Sequence, residues 1–359
     1  MAETSAAGCP TGPHFNSAAG ENGWAGGTNA PANGKDCVDM LSTVKQTMIG
    51  EGITLHQVST NKFHSNRITV NFILPLSKET ASHCAAVPLL LRKSTNRYPD
   101  FLELNRRLGE LYGAVLYTEV IKNGDAQICR IGIQCISDAM ALQGEDLLRQ
   151  SSALLCDAVF GKADWETPFQ ESDFLLEKQF VIDQIKAEIN DKRVYAVSRL
   201  KEHLYAGQPG AIGSWGTLEA AKTMELAAVA AAYRRLLSEA RIDVVVVGPD
   251  AQHASAGWFA QAVAGLRRQP AGAIPYWTAE AAEEPREIIE RMDVQQGKLA
   301  LGFAAPLNEW TAPEQVAAMR LFSAMYGGTA FCKLFLNVRE RLSLCYYCGS
   351  AYDRVKGSL

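Results

Sequence analysis

The spacing of apolar and polar positions changes several times along the chain, and each change marks an element. Arg67–Leu76 (RITVNFILPL) is rich in β-branched and aromatic side chains and predicts a strand. Helical spacing follows over Lys78–Lys93 and Asp100–Leu111. Two more strand-like runs, Ala114–Ile121 and Ala126–Ile136, flank Asn123-Gly124-Asp125, residues that favour a tight antiparallel hairpin. Helices are expected over Ala139–Phe160, Phe174–Tyr205 and Leu226–Ser238. Arg241–Val247 (RIDVVVV) has the continuous apolar character of a buried strand and is stopped by Gly248-Pro249, after which Gln252–Arg268 reads as a helix. Strands first, then a block of helices and a late returning strand, predict an α+β fold with helices packed on one largely antiparallel sheet.

The same sequence of patterns then starts again. Leu299–Leu307 (LALGFAAPL) is strand-like and ends in Pro-Leu, as Arg67–Leu76 does; helices over Glu314–Tyr326 and Phe331–Arg341 and a strand over Leu344–Tyr352 follow. The repetition predicts duplicated domains, the second copy cut short at Leu359, so the chain reads as a fragment of a longer protein. The expected division is a flexible polar tail over 1–40, a first domain over 41–268, a linker over 269–286 broken by Pro270, Gly272, Pro275 and Pro285, and the start of a second domain over 287–359.

Composition narrows the classes. A net charge of −4 gives no basic surface for nucleic acid, and no apolar run approaches the ~18 residues of a membrane helix. The first 35 residues lack the basic and apolar regions of a signal peptide. Nine cysteines, an odd number spread widely, point to free thiols in a reducing compartment and hence to the cytoplasm. Cys345 and Cys348 form a C-x-x-C pair with no second pair nearby, which reads as two thiols on opposite faces of a strand rather than a redox or zinc knuckle. Gly207, Gly213 and Gly216 lack the order of a phosphate-binding loop and read as loop glycines.

Three segments, in order, carry a family likeness. The first is Lys93-Ser94-Thr95-Asn96-Arg97-Tyr98-Pro99, leading to Leu108-Gly109-Glu110-Leu111-Tyr112-Gly113-Ala114. The second is Leu204-Tyr205-Ala206-Gly207-Gln208-Pro209, with Gly216-Thr217-Leu218-Glu219 after it. The third joins Tyr326-Gly327-Gly328-Thr329 and Lys333-Leu334-Phe335 to the run Val338-Arg339-Glu340-Arg341-Leu342-Ser343-Leu344-Cys345-Tyr346. Together they resemble the M16 (pitrilysin/insulinase-like) metallopeptidase family over roughly residues 60–359. Within it the chain is most similar to a zinc-less bacterial subgroup linked by label to elongation factor P modification.

The resemblance implies a zinc site built on H-x-x-E-H, with a glutamate from a later helix as third ligand. The matching positions here are Ala85, Pro88 and Leu89, with Gln184 in place of the third ligand and Glu177 matching an upstream family glutamate. None of Ala85, Pro88 or Leu89 can bind a metal or move a proton, and a neutral Gln184 is a poor ligand. His83 and Cys84 are adjacent, hence ~100° apart on a helix, and do not replace the pair. The implied chain therefore holds no metal and no cofactor and is inactive alone, with zinc expected in a partner subunit.

What the resemblance leaves is Arg339 and Tyr346, matching an arginine and a tyrosine that zinc-less subunits supply to a zinc-bearing partner's active site. The implied function is a non-catalytic subunit of a heterodimeric M16-type peptidase, binding peptide, with Leu299–Leu307 as an edge for β-augmentation. The alternative is a purely structural core subunit, in which Arg339-Glu340-Arg341 is a solvated helix face and Tyr346 a packed strand residue. Ser343 stands where the family has glycine, which puts the turn before Tyr346 in question.

Overall fold

Hairpin chemistry and alternation build the sheet. The structure, a computed structural model, describes residues 44–305 and 313–359, so the 1–40 tail lies outside the described residues. The hairpin predicted around Gly124 is present: β4 (Val115–Asn123) and β5 (Ala126–Ile136) pair antiparallel, from Asn123 with Ala126 to Val115 with Gln134. Gly124 takes φ +58°, a left-handed turn conformation that costs a glycine least. β5 pairs along its full length with β3 (Ser65–Pro75). β3 also pairs antiparallel with the late strand β6 (Arg241–Gly248).

Beyond β6 lie β2 (Ile53–Ser59) and β1 (Val44–Gly50), two strands that the sequence reading did not identify. The order is β1-β2-β6-β3-β5-β4, antiparallel throughout except for the β2–β6 pair. β6 presents Ile242, Val244 and Val246 to the core, beside Ile68, Val70, Phe72 and Leu74 of β3, all buried.

Helices cover this buried face, the α+β arrangement expected. α1 (Ala81–Leu91) is buried almost all round, as its near-uniform apolar sequence requires. It keeps a proline in its interior, Pro88, which has no N–H for the carbonyl of Cys84 four residues back. The Cys129 thiol of β5 donates to that carbonyl instead, at 3.3 Å, so the backbone oxygen stays satisfied. The long predicted helix Phe174–Tyr205 is two helices, α4 (Glu171–Ala187) and α5 (Lys192–Leu204). Asp191 breaks it by capping α5, its Oδ1 accepting from the N–H groups of Arg193 and Val194. α2 (Phe101–Glu110), α3 (Leu147–Phe160), α6 (Leu218–Lys222), α7 (Leu226–Glu239) and α8 (Ala256–Val263) complete this part.

Residues 269–286 contain neither helix nor strand. After them the structure departs from expectation. Residues 299–305 form no named strand, and 306–312 lie outside the described residues. Phe303 exchanges backbone hydrogen bonds with Leu359, and the Ala305 N–H donates to Gly357. Residues 344–352 are likewise not a strand. A strand needs a neighbouring backbone for its N–H and C=O groups, and among the described residues only 357–359 offer one to Phe303 and Ala305. Helix α9 (Pro313–Ser323) is present and continues into wide π-type turns at Ala324–Gly328 and again at Phe335–Arg341.

Candidate functional site

Of the positions that the resemblance matched to zinc ligands, the three on α1 are packing residues. Ala85 is fully buried, Leu89 is 2 % exposed and Pro88 is buried, all on α1, whereas Gln184 is exposed on α4. Three carbon side chains in the core and an amide at the surface do not fit a zinc ion, which requires nitrogen, sulfur or carboxylate donors around one point. Burial raises the Cys84 thiol to about 11, away from the thiolate that a metal takes, and His83, whose pKa burial lowers, has no second ligand arranged with it among the described residues. Among the described residues no group of His, Cys, Asp and Glu is arranged to hold a metal.

Glu177, the acid that the resemblance matched to an upstream family glutamate, is 4 % exposed. Its Oε1 lies 2.7 Å from Lys93 Nζ and 3.8 Å from Arg92, joining α4 to the end of α1. A buried carboxylate needs such partners to remain charged. The pairing was not evident in the sequence, although Lys93 opens the first family-like segment.

The second family-like segment has a packing reason. Gly216 (φ +79°) lies against the start of α1, where any Cβ would come within 2.2 Å of Ser82 Oγ, and that hydroxyl donates to the Trp215 carbonyl at 2.9 Å. Gly216 is therefore a close-approach residue and not part of a phosphate cradle.

Arg339 and Tyr346 are brought together. The π-type turn Phe335–Arg341 ends with Leu342 N–H donating to Asn337 at 3.0 Å. Ser343 then adopts φ +52°, the left-handed conformation that glycine takes most easily, so the reversal is made without the family's glycine. Leu344 N–H returns to Val338 at 3.0 Å. This fold-back sets the Arg339 guanidinium 5.5 Å from the Tyr346 ring centroid and 4.5 Å from that of Phe335, within cation–π range. Glu340 pairs with Arg339 at 3.5 Å. Tyr346 is 83 % exposed and is not the packed strand residue of the structural alternative. A held guanidinium can grip a carbonyl or carboxylate, and the exposed phenol beside it can donate its O–H to the same oxygen.

Comparison with known proteins bears on these features. Residues 223–358 match the family described as the Peptidase M16 inactive domain. The chain is 27 % identical over 312 residues to the probable inactive metalloprotease YmfF of Bacillus subtilis (strain 168), covering 86 % of this chain and 72 % of that protein. The chain is thus similar to M16 proteins described as inactive. The solved structure of a conserved protein from Enterococcus faecalis V583 superposes with a TM-score of 0.77 at 27 % identity, covering 88 % of this chain and 74 % of that one. A peptidase M16 inactive domain from Pseudomonas fluorescens shares the fold at a TM-score of 0.62 and 18 % identity, covering 86 % and 70 % of the two chains. No helix among the described residues is long and apolar enough to cross a membrane.

Proposed function

We propose that this chain is the non-catalytic subunit of a heterodimeric M16-type peptidase in the bacterial cytoplasm, and that residues 287–359 begin its second M16-like domain. It binds peptide and presents Arg339 and Tyr346 to the active site of a zinc-bearing M16 partner. The observation that carries this reading is the juxtaposition of an exposed Tyr346 with Arg339, held by a turn that persists although Ser343 replaces glycine. Arg339 fixes a substrate carbonyl or carboxylate in a planar, charge-assisted contact. The Tyr346 hydroxyl donates to the oxygen on which negative charge develops during addition to the peptide carbonyl. The free thiols of the described cysteines agree with a reducing compartment. The structural-subunit alternative draws support from Arg339 being already engaged by Phe335, Tyr346 and Glu340.

The test is reconstitution with an H-x-x-E-H-bearing M16 subunit from the same genome. Light scattering should report a one-to-one complex, and turnover of a quenched peptide should rise more than ~10-fold over the partner alone, as a transition-state donor supplied in trans requires. Turnover by this chain alone, or partner activity unchanged within a formed complex, would overturn the proposal.

A further inference from the structure

The C-x-x-C pair lies where the sequence did not place it. On a strand, Cys345 and Cys348 would point to opposite faces, because their separation is odd. Instead the chain bends at Tyr346, in a short loop pinned at both ends. Leu344 N–H donates to Val338 at 3.0 Å before the loop, and Ser350 N–H to Gly327 at 3.2 Å after it. The Ser350 hydroxyl adds a bond to the Ser323 carbonyl at 3.0 Å. Within the loop the Cys348 thiol adjoins that of Cys345, with Cys332 and Arg339 as further neighbours.

Accessibility separates this pair from the other described thiols. Cys345 and Cys348 are half-buried. Cys332 is 1 % exposed, and its sulfur accepts from the Phe335 N–H at 3.3 Å. In the sheet core, burial pushes Cys84 and Cys135 up to about 11 and Cys156 up to about 12, and raises Cys129 well above the ordinary thiol range. Core thiols of that kind are inert, because the thiolate is the reacting species. Cys348 is raised as well, by burial first and then by the Cys345 and Cys332 sulfurs, with Arg339 opposing.

We propose that Cys345 and Cys348 form a thiol–disulfide exchange site that reacts with small disulfides of the glutathione class and closes into an internal disulfide across Tyr346. The Cys345 thiolate attacks one sulfur of the glutathione disulfide; that S–S bond breaks and one glutathione leaves as thiolate. Cys348 gives its proton to solvent and attacks Cys345 Sγ, forming the Cys345–Cys348 bond and expelling the second glutathione. Two electrons pass from the protein thiols to the glutathione disulfide. Closure ties Tyr346 and Tyr347 into a four-residue ring beside Arg339. The site does not depend on the in-trans role of Tyr346 and stands equally if the chain is a scaffold.

The experiment treats the full folded chain with oxidised glutathione, quenches with acid, alkylates residual thiols and digests with trypsin. The peptide Leu342–Arg354 contains both cysteines and no others. In wild type it should be two hydrogens lighter than the dithiol and carry no alkyl group, and dithiothreitol should reverse this. Cys348→Ser should trap glutathione on Cys345, and this should form at least ~10-fold faster than any adduct at the buried core thiols. Two glutathiones without a crosslink, both thiols alkylated, or a disulfide from either one to Cys332 would each overturn the assignment.

Discussion

Asp125 and Lys356 form an ion pair deep in the protein, and breaking it has a calculable effect. Lys356 Nζ lies 2.9 and 3.0 Å from the two Asp125 oxygens and 2.8 Å from Gln208 Oε1, and both charged side chains are 1 % exposed. Asp125 also accepts from the N–H groups of Gly210 at 2.7 Å and Trp277 at 2.9 Å. The pair thus joins the β4–β5 turn to the backbone at Trp277 and to the segment around Lys356. At ~3 Å and an effective dielectric near 20, the attraction is about 5–6 kcal/mol, set against the cost of desolvating both ions. Asp125→Asn keeps the shape but leaves a buried ammonium without its counter-charge, a change that typically costs ~3–5 kcal/mol.

The segment can relieve that cost by detaching, so its opening should rise by a factor of ~10² to a few times 10³. Trypsin cleavage after Arg354, under conditions where opening is fast relative to cutting, reads that population. The double variant Asp125→Asn/Lys356→Met removes both charges and should recover most of the protection, because replacing a buried pair by neutral groups is often close to neutral. Unchanged cleavage in Asp125→Asn, or a double variant cut as fast as the single one, would refute the reasoning.

Three further outcomes follow from the same structure. Burial, with repulsion from Lys201 and Lys356, lowers the Lys122 ammonium from 10.5 to about 8. The folded state therefore gives up this proton more readily than the unfolded chain. The cost of the buried charge is complete below about pH 8 and relieved as pH rises toward about 10.5. Urea midpoints should accordingly rise between pH ~7 and ~9.5 in wild type relative to Lys122→Met, and an identical difference at both pH values would contradict this. Leu89 now serves as core, so Leu89→Ala should cost ~2–5 kcal/mol in urea denaturation. Metal analysis of tag-free wild type should find no stoichiometric zinc; one tightly held zinc per chain would show that the site has been misread.

The elements read from the sequence were those whose pattern is locally complete. β3, β5 and β6 carry long apolar or β-branched runs, and the hairpin carries its own turn residues. β2 was missed because Gln57 occupies one of its inward positions. Its amide is buried at 3 % exposure and is satisfied by the carbonyls of Ala251 and Ala254, partners supplied only by tertiary structure. β1 was missed because it is an edge strand with mostly exposed or half-buried side chains and so has no apolar stripe.

The opposite error occurred at 299–305 and 344–352, where strand-like composition lacks a ladder among the described residues. Of the candidate site, the motif identified Arg339 and Tyr346, but their contact depends on a left-handed Ser343 that no residue preference would suggest. The same fold-back makes neighbours of Cys345 and Cys348, so spacing on an assumed strand placed them wrongly.

The measurement that bears most directly on the central claim is the kinetics of Tyr346→Phe in a complex with the proposed zinc-bearing partner. Only a hydroxyl is lost, at an exposed ring, so complex content by light scattering and KM should stay nearly unchanged. If that hydroxyl donates to the developing oxyanion, kcat should fall by ~10²–10³, the usual effect of removing one such donor. Wild-type kcat at wild-type complex levels would contradict the account and leave the chain as scaffold alone.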